Sequence, residues 1–133
     1  MPVKFHHLHL KARDPDKTAA WYGDAFSFRV VDRIVRPIGD VFITCKTTDD
    51  TTFVISGEKT GETLPAGSSG TQMGLEHFAV ATDDFDASLA HLKSMGAAVL
   101  DGPMATPTGI RIAFIEAPDN VRIELMYFPK AAA

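Results

Sequence analysis

The sequence predicts an α+β fold built from two copies of one βαβββ module. The stretch that begins at His7 is repeated 70 positions later, from His77. In each copy an alternating apolar segment leads to a helical pattern that starts at an Asp, and three strand-like segments follow. Each helix must cover one sheet face, which leaves the other face free to curl around a cavity. We expect a curved mixed sheet around a metal or ligand cavity, with the helices on its outer face.

The similarity between the two copies is strongest around the start of each helix. Segments 7–20 and 77–90 share the opening His, two Asp residues and the final Ala. Histidine is the commonest metal ligand in proteins. Two histidines at matched positions of a repeated module therefore indicate a metal ion shared between the copies.

The elements of module one follow from local patterns. Lys4–Ala12 alternates, which predicts a half-buried strand. One face of this strand carries His7, His9 and Lys11. Asp14 is the expected N-cap of a helix that ends near Ala25 to Ser27. Segments rich in β-branched and aromatic residues predict three further strands, at Arg29–Val35, Val41–Thr47 and Thr52–Ile55.

Module two is predicted to repeat this order. The strand His77–Ala81 leads to Asp84, which caps a helix from about Phe85 to Met95, and Gly96 ends that helix. The next three strands are expected at Ala98–Leu100, Arg111–Glu116 and Arg122–Tyr127. We expect one domain over 1–133, with module one at about 1–56, a connector at 57–74 and module two at about 75–128. The connector, rich in Gly, Ser and Thr, is a linker or a functional loop.

Composition excludes several classes of protein. The net charge of -4 and the scattered Lys and Arg provide no basic face for nucleic acid. No apolar run approaches the length of a membrane span, and the N-terminus has no signal-like segment. The single cysteine, Cys45, cannot form an internal disulfide and is expected in the core, so a cytoplasmic protein is the simplest interpretation. The tail 131–133 is expected to fray.

Two motifs resemble those of the vicinal oxygen chelate superfamily, the glyoxalase, bleomycin resistance protein and dioxygenase family. The first is the His-x6-Asp opening of each module. The second is the closing run Ala117–Leu125, which resembles an Asp-Pro-Asp-Gly turn followed by Ile-Glu-Leu, with Ala117 and Asn120 as departures. The resemblance covers essentially the whole chain. It implies that His7, His77 and Glu124 bind one divalent metal ion.

The repeat also tests for a fourth ligand. The position 70 residues before Glu124 is Val54, whereas members that resemble glyoxalase I carry a Glu near this point. Two His and one carboxylate form a facial-triad set that suits Fe²⁺ or Mn²⁺, with Ni²⁺ and Zn²⁺ also open. The remaining coordination positions would accept two adjacent oxygens of a substrate, and the ion would act as a Lewis acid.

Other residues have two possible roles each. Glu124 and His9 are the candidate catalytic residues, although His9 could equally be a packed imidazole. Lys11 and Arg122 are candidates for binding an anionic substrate group, and solvated strand ends are the alternative. Apolar residues that line either the pocket or the core are Phe53, Met73 and Met126. Phe114 is a further substrate-binding candidate, at the position where extradiol dioxygenases place a tyrosine.

The sequence thus predicts a small divalent-metal-dependent enzyme that chelates a vicinally oxygenated small-molecule substrate. The ligand count slightly favours dioxygenase-type chemistry. The alternatives are a glyoxalase-like lyase or isomerase, and a metal-free small-molecule binding protein of the bleomycin-resistance type. The resemblance further implies a homodimer in which each site is shared between subunits, because the long connector permits exchange of a module.

Overall fold

The computed structural model describes residues 1–130, so the tail expected to fray lies outside the described residues. The chain divides into two compact units, Met1–Pro65 and Ala66–Ala133. Each unit contains one helix and four strands in the order βαβββ, which confirms the α+β class and the repeated module. Among the described residues no helix is long and apolar enough to cross a membrane.

The bounds of the elements agree closely with the predicted ones. Unit one contains β1 (His7–Lys11), α1 (Pro15–Phe26), β2 (Arg29–Val35), β3 (Val41–Lys46) and β4 (Thr52–Ser56). Unit two contains β5 (Phe78–Ala81), α2 (Phe85–Ser94), β6 (Val99–Ala105), β7 (Arg111–Ala117) and β8 (Val121–Tyr127). A single 3-10 turn, Pro118–Asn120, joins the last two strands.

Each unit forms its own four-stranded mixed sheet. The strand order is β1-β4-β3-β2 in unit one and β5-β8-β7-β6 in unit two. The first strand of each module pairs in parallel with the last, and the remaining pairs are antiparallel. The parallel pair can form because the helix and two strands connect its members.

The offset of the sequence repeat is preserved in strand register. His9 pairs with Val54 in unit one, and Ala79 pairs with Glu124 in unit two. With the other neighbouring strand, Val54 pairs with Thr44 of β3 and Glu124 pairs with Phe114 of β7. Val54 therefore occupies the position in its sheet that Glu124 occupies in the other, as the repeat predicts.

The core of each unit lies between its sheet and its helix. In unit one the ring centroid of Tyr22 lies 4.9 Å from that of Phe53 and 5.9 Å from that of Phe28. In unit two the helix buries Leu89 and Leu92, and the sheet buries Ile123 and Leu125. Full burial of such a side chain stabilises the folded state by roughly 1.5–3 kcal/mol. Buried residues alternate with half-buried ones along β3 and β7, so the face of each sheet opposite its helix is left for other chemistry.

The helices begin and end where the sequence predicts. Asp14 accepts a hydrogen bond from the backbone N–H of Lys17 at 3.2 Å, and Asp84 accepts one from Ala87 at 3.1 Å. Ser27 ends α1 in the left-handed conformation at φ 60°, and Gly96 follows α2 at φ 87°.

Two strands differ from their predicted bounds by three or more residues at one end. β1 begins at His7 rather than Lys4, because its partner β4 begins at Thr52, which pairs with His7. β6 continues to Ala105 rather than ending at Leu100, and it includes Gly102-Pro103. This strand is at the sheet edge, where a proline is tolerated, and two register shifts absorb the irregularity.

The connector contains no helix or strand over residues 57–74, yet side chains of both units bind its backbone. In unit one, the guanidinium of Arg13 donates to the backbone oxygen of Leu64 at 2.8 Å. In unit two, the amide of Asn120 donates to the backbone oxygen of Gly67 at 3.1 Å.

Candidate metal centre

Unit two places two of the predicted ligands next to each other. His77 directly precedes β5, and Glu124 lies in the middle of β8 between the buried Ile123 and Leu125. Glu124 is therefore on the sheet face that α2 does not cover. The Nε2 atom of His77 lies 3.9 Å from Oε1 of Glu124. Two donors that are each about 2.1 Å from one ion are separated by at most about 4 Å, so this pair fits a divalent metal.

The surroundings of this pair are aromatic and charged. The ring of His77 makes an edge contact with Phe114 at a centroid distance of 5.1 Å. The guanidinium of Arg122 lies 4.3 Å above the ring of Phe114 and donates to the backbone oxygen of Ser69 at 3.0 Å. Arg122 is only 9% exposed, so the alternative of a solvated strand end is wrong for this residue. Its aliphatic stem and guanidinium are buried by partners that are distant in sequence.

In unit one, His7 and His9 share the face of β1 that α1 does not cover, as predicted. His7 is exposed, and its Nδ1 lies 2.8 Å from Nδ1 of His6. The Nε2 atom of His9 lies 2.7 Å from the hydroxyl oxygen of the buried Ser56. Partial burial, aided by the positive charge of Lys11, lowers the pKa of His9 and favours its neutral form near pH 7.

A charged cluster beside His9 was not found by sequence reasoning. The fully buried Asp40 accepts two hydrogen bonds from Arg36, at 2.9 and 2.5 Å, and lies 3.9 Å from Nζ of Lys11. The hydrogen bonds from Arg36 are the main cause that lowers the pKa of Asp40. In the sequence, only the i, i+4 spacing of Arg36 and Asp40 around a turn could have indicated this cluster. Lys11 also donates to the backbone oxygen of Gly57 at 3.0 Å.

The apolar candidates are distributed over different environments. Phe53 is 3% exposed and packs against Tyr22, on the helix-covered face of its sheet, so its assignment to the site is corrected to the core. Met73 is 97% exposed. Met126 is half-buried and shares the face of Glu124, and Phe114 pairs with Glu124 across β7 and β8.

In the described part of the chain, no three or more His, Cys, Asp or Glu side chains are grouped so that they could hold a metal ion. His77 and Glu124 are thus a two-donor set within unit two, and His7 is an exposed donor of unit one.

Residues 4–125 match the model of the Glyoxalase/Bleomycin resistance protein/Dioxygenase superfamily, and the chain belongs to this superfamily. A comparison with curated proteins gave no match.

Solved structures of this fold cover nearly the whole chain. A glyoxylase/bleomycin resistance protein/dioxygenase domain from Frankia sp. EAN1pec is 21% identical, with a TM-score of 0.78 over 97% of this chain and 100% of that chain. A glyoxalase family protein from Bacillus cereus is 13% identical, with a TM-score of 0.83 over 96% and 95%. The fosfomycin resistance protein FosX from Listeria monocytogenes, in complex with Mn(II) and sulfate, is 16% identical, with a TM-score of 0.71 over 97% and 95%. These similarities show the fold.

Proposed function

We propose that this protein is a small divalent-metal-dependent enzyme that chelates a vicinally oxygenated small-molecule substrate. The observation that carries the proposal is the 3.9 Å approach of His77 and Glu124 on the uncovered sheet face. His7, the residue matched to His77 by the repeat, is the third ligand. Mn(II) in the structure of FosX supports a divalent ion of the Fe²⁺, Mn²⁺, Ni²⁺ or Zn²⁺ series here.

We assign the site to a homodimer in which one subunit supplies His7 and the other supplies His77 and Glu124. The support for this assignment is that His7 is exposed in unit one and thus accessible to a second subunit. Residues 1–133 then act as one domain, and the buried free Cys45 is in keeping with the reducing cytoplasm.

A bound divalent ion would polarise a substrate carbonyl or stabilise an anion on two adjacent oxygens. The chain contributes the remaining functions. Arg122 and Lys11 bind an acidic group of the substrate, and Phe114 and Met126 contact its apolar part. His9 is the general base, because its lowered pKa keeps the ring neutral and able to accept a proton near pH 7.

The ligand count slightly favours dioxygenase-type chemistry over a glyoxalase-like lyase or isomerase. Val54 is 4% exposed and apolar at the position that corresponds to Glu124, so it adds no fourth ligand. His9, whose Nε2 lies 2.7 Å from the hydroxyl oxygen of Ser56, is the residue that favours the second candidate, since a lyase or isomerase needs a base. A metal-free binding protein of the bleomycin-resistance type is the third candidate function.

Elemental analysis of purified protein tests the proposal. We expect about one divalent ion per site in the wild type and a large loss in Glu124→Ala, because the variant lacks one of the three ligands. Glu116→Gln is the matched control: it removes a carboxylate from the neighbouring strand, where Glu116 accepts a hydrogen bond from Ser69 at 2.5 Å. Equal metal content in wild type and Glu124→Ala would refute the metal site and favour the metal-free binding protein.

A further inference from the structure

We propose that Glu76 is a positioning residue that fixes the tautomer and orientation of His77 for metal binding. The inference rests on the metal site proposed above and assigns a role to a residue that has none in that site.

The two nitrogens of the His77 ring face two different carboxylates. Nδ1 lies 3.1 Å from Oε1 of Glu76, and Nε2 lies 3.9 Å from Oε1 of Glu124. The first distance is that of a hydrogen bond and the second is too long for one. An ionised carboxylate can only accept, so Nδ1 carries the proton of the neutral ring. The lone pair of Nε2 is then directed toward Glu124 and available to an ion.

Glu76 is itself held by a buried cation. Oε1 of Glu76 lies 3.8 Å from Nε of Arg122, a buried atom that has no hydrogen-bond partner among the described residues. The Arg122 guanidinium is fixed over the ring of Phe114, and Phe114 also contacts the edge of the His77 ring. Arg122 and Phe114 thus support both members of the Glu76–His77 pair. This distinguishes the pair from an ordinary exposed ion pair, whose two side chains are loosely held.

Unit one has a related arrangement at the matched position. The residue before His7 is His6, 70 positions before Glu76. Nδ1 of His6 lies 2.8 Å from Nδ1 of His7. In both copies of the module, the residue preceding the candidate ligand therefore contacts Nδ1 of that ligand. A hydrogen-bonding partner on the far nitrogen is how metal-binding histidines are oriented, and a carboxylate also raises their basicity.

Nitrogen-15 NMR of the metal-free protein tests the tautomer directly. At about pH 8.5, where a histidine ring is neutral, we expect the Nδ1–H form of His77 in the wild type. In Glu76→Ala the ring should revert mainly to the Nε2–H form that free imidazole side chains prefer in water. Glu76→Gln keeps an accepting oxygen without the charge, so its population of the Nδ1–H form should lie between those of the wild type and Glu76→Ala. His77 with the same tautomer in wild type and Glu76→Ala overturns the inference.

Calorimetric titration with Mn²⁺ tests the consequence for binding. Loss of such an orienting partner typically costs 10–100-fold in metal affinity, and we expect a weakening of about that size in Glu76→Ala. Glu116→Gln, which removes a charge but no contact to His77, should stay within about twofold of the wild type. Equal weakening in Glu76→Ala and Glu116→Gln overturns the inference, because a general loss of negative charge would then explain both. Equal Mn²⁺ binding by wild type and Glu124→Ala has a different meaning: it overturns the metal site, and the role of Glu76 with it.

Discussion

At the scale of single residues, the sequence selected His77 by its match to His7 in the repeat and Glu124 by the closing motif. The structure places Nε2 of His77 3.9 Å from Oε1 of Glu124. Two other features depend on contacts between residues that no sequence pattern links. Arg122 is buried because Phe114 and the backbone of Ser69 receive its guanidinium. Asp40 is fully buried because Arg36 satisfies its carboxylate.

Asp40 leads to a prediction about stability and pH. Replacement by Asn removes the charge that Arg36 pairs with, so Asp40→Asn should lower the free energy of unfolding. The folded-state pKa of Asp40 is lowered, so its contribution is fully present above the unfolded pKa and is lost as the pH falls through the folded pKa. The difference between wild type and variant in urea unfolding should therefore be constant above about pH 5 and shrink below about pH 4.

Asp16→Asn is the control for this comparison. Asp16 also accepts two hydrogen bonds from an arginine, Arg33, but both side chains are about half exposed. Asp16→Asn should lower the free energy of unfolding by less than Asp40→Asn does. This effect should vanish in 1 M salt, since water and ions screen exposed pairs. If Asp40→Asn lowers the free energy of unfolding no more than Asp16→Asn does, the prediction that the buried pair stabilises the fold is wrong.

At the scale of elements, the helices were predictable because their end signals lie within a few residues. The N-caps Asp14 and Asp84 each bond a backbone N–H three positions on. β6 was predicted too short: the expected strand ended at Leu100, whereas the observed one continues through Gly102-Pro103 to Ala105. The missing information was its edge position in the sheet, which only the tertiary fold determines.

The two helix ends give an element-scale prediction. Ser27 adopts the left-handed conformation at the end of α1, which costs a residue with a Cβ about 1 kcal/mol or more. Ser27→Gly should therefore raise the free energy of unfolding by up to about 1 kcal/mol. Gly96→Ala at the end of α2 should lower it by about 1 kcal/mol, since an added Cβ meets no atom within 4 Å and only the conformation opposes it. Urea denaturation measures both, and a stabilised Gly96→Ala would contradict the reasoning.

At the scale of the whole molecule, the shared site predicts complementation between subunits. His7→Ala and Glu124→Ala should each bind little metal alone. When the two are unfolded, mixed and refolded together, a swapped heterodimer has one site with both lesions and one with none. Random pairing should restore metal to about a quarter of the sites. If each site lay within one chain, every site would keep a lesion and no metal would return, and a monomer in size-exclusion chromatography would also rule out the arrangement.

The equal registers of the two sheets bear on the history of the chain. The total length of chain between the paired strands must agree for Val54 and Glu124 to hold the same sheet position, although α1 and α2 differ in length, and this agreement is what duplication of one ancestral module would leave. Even the turn after β2 recurs: the backbone N–H of Arg36 donates to the oxygen of Asp40, and that of Thr106 donates to the oxygen of Ile110. The matched backbones carry different side chains: unit one has the charged cluster of Arg36, Asp40 and Lys11, and unit two has the candidate donors His77 and Glu124. Two copies of a module that are joined in one chain can change independently, whereas the modules of two identical chains cannot.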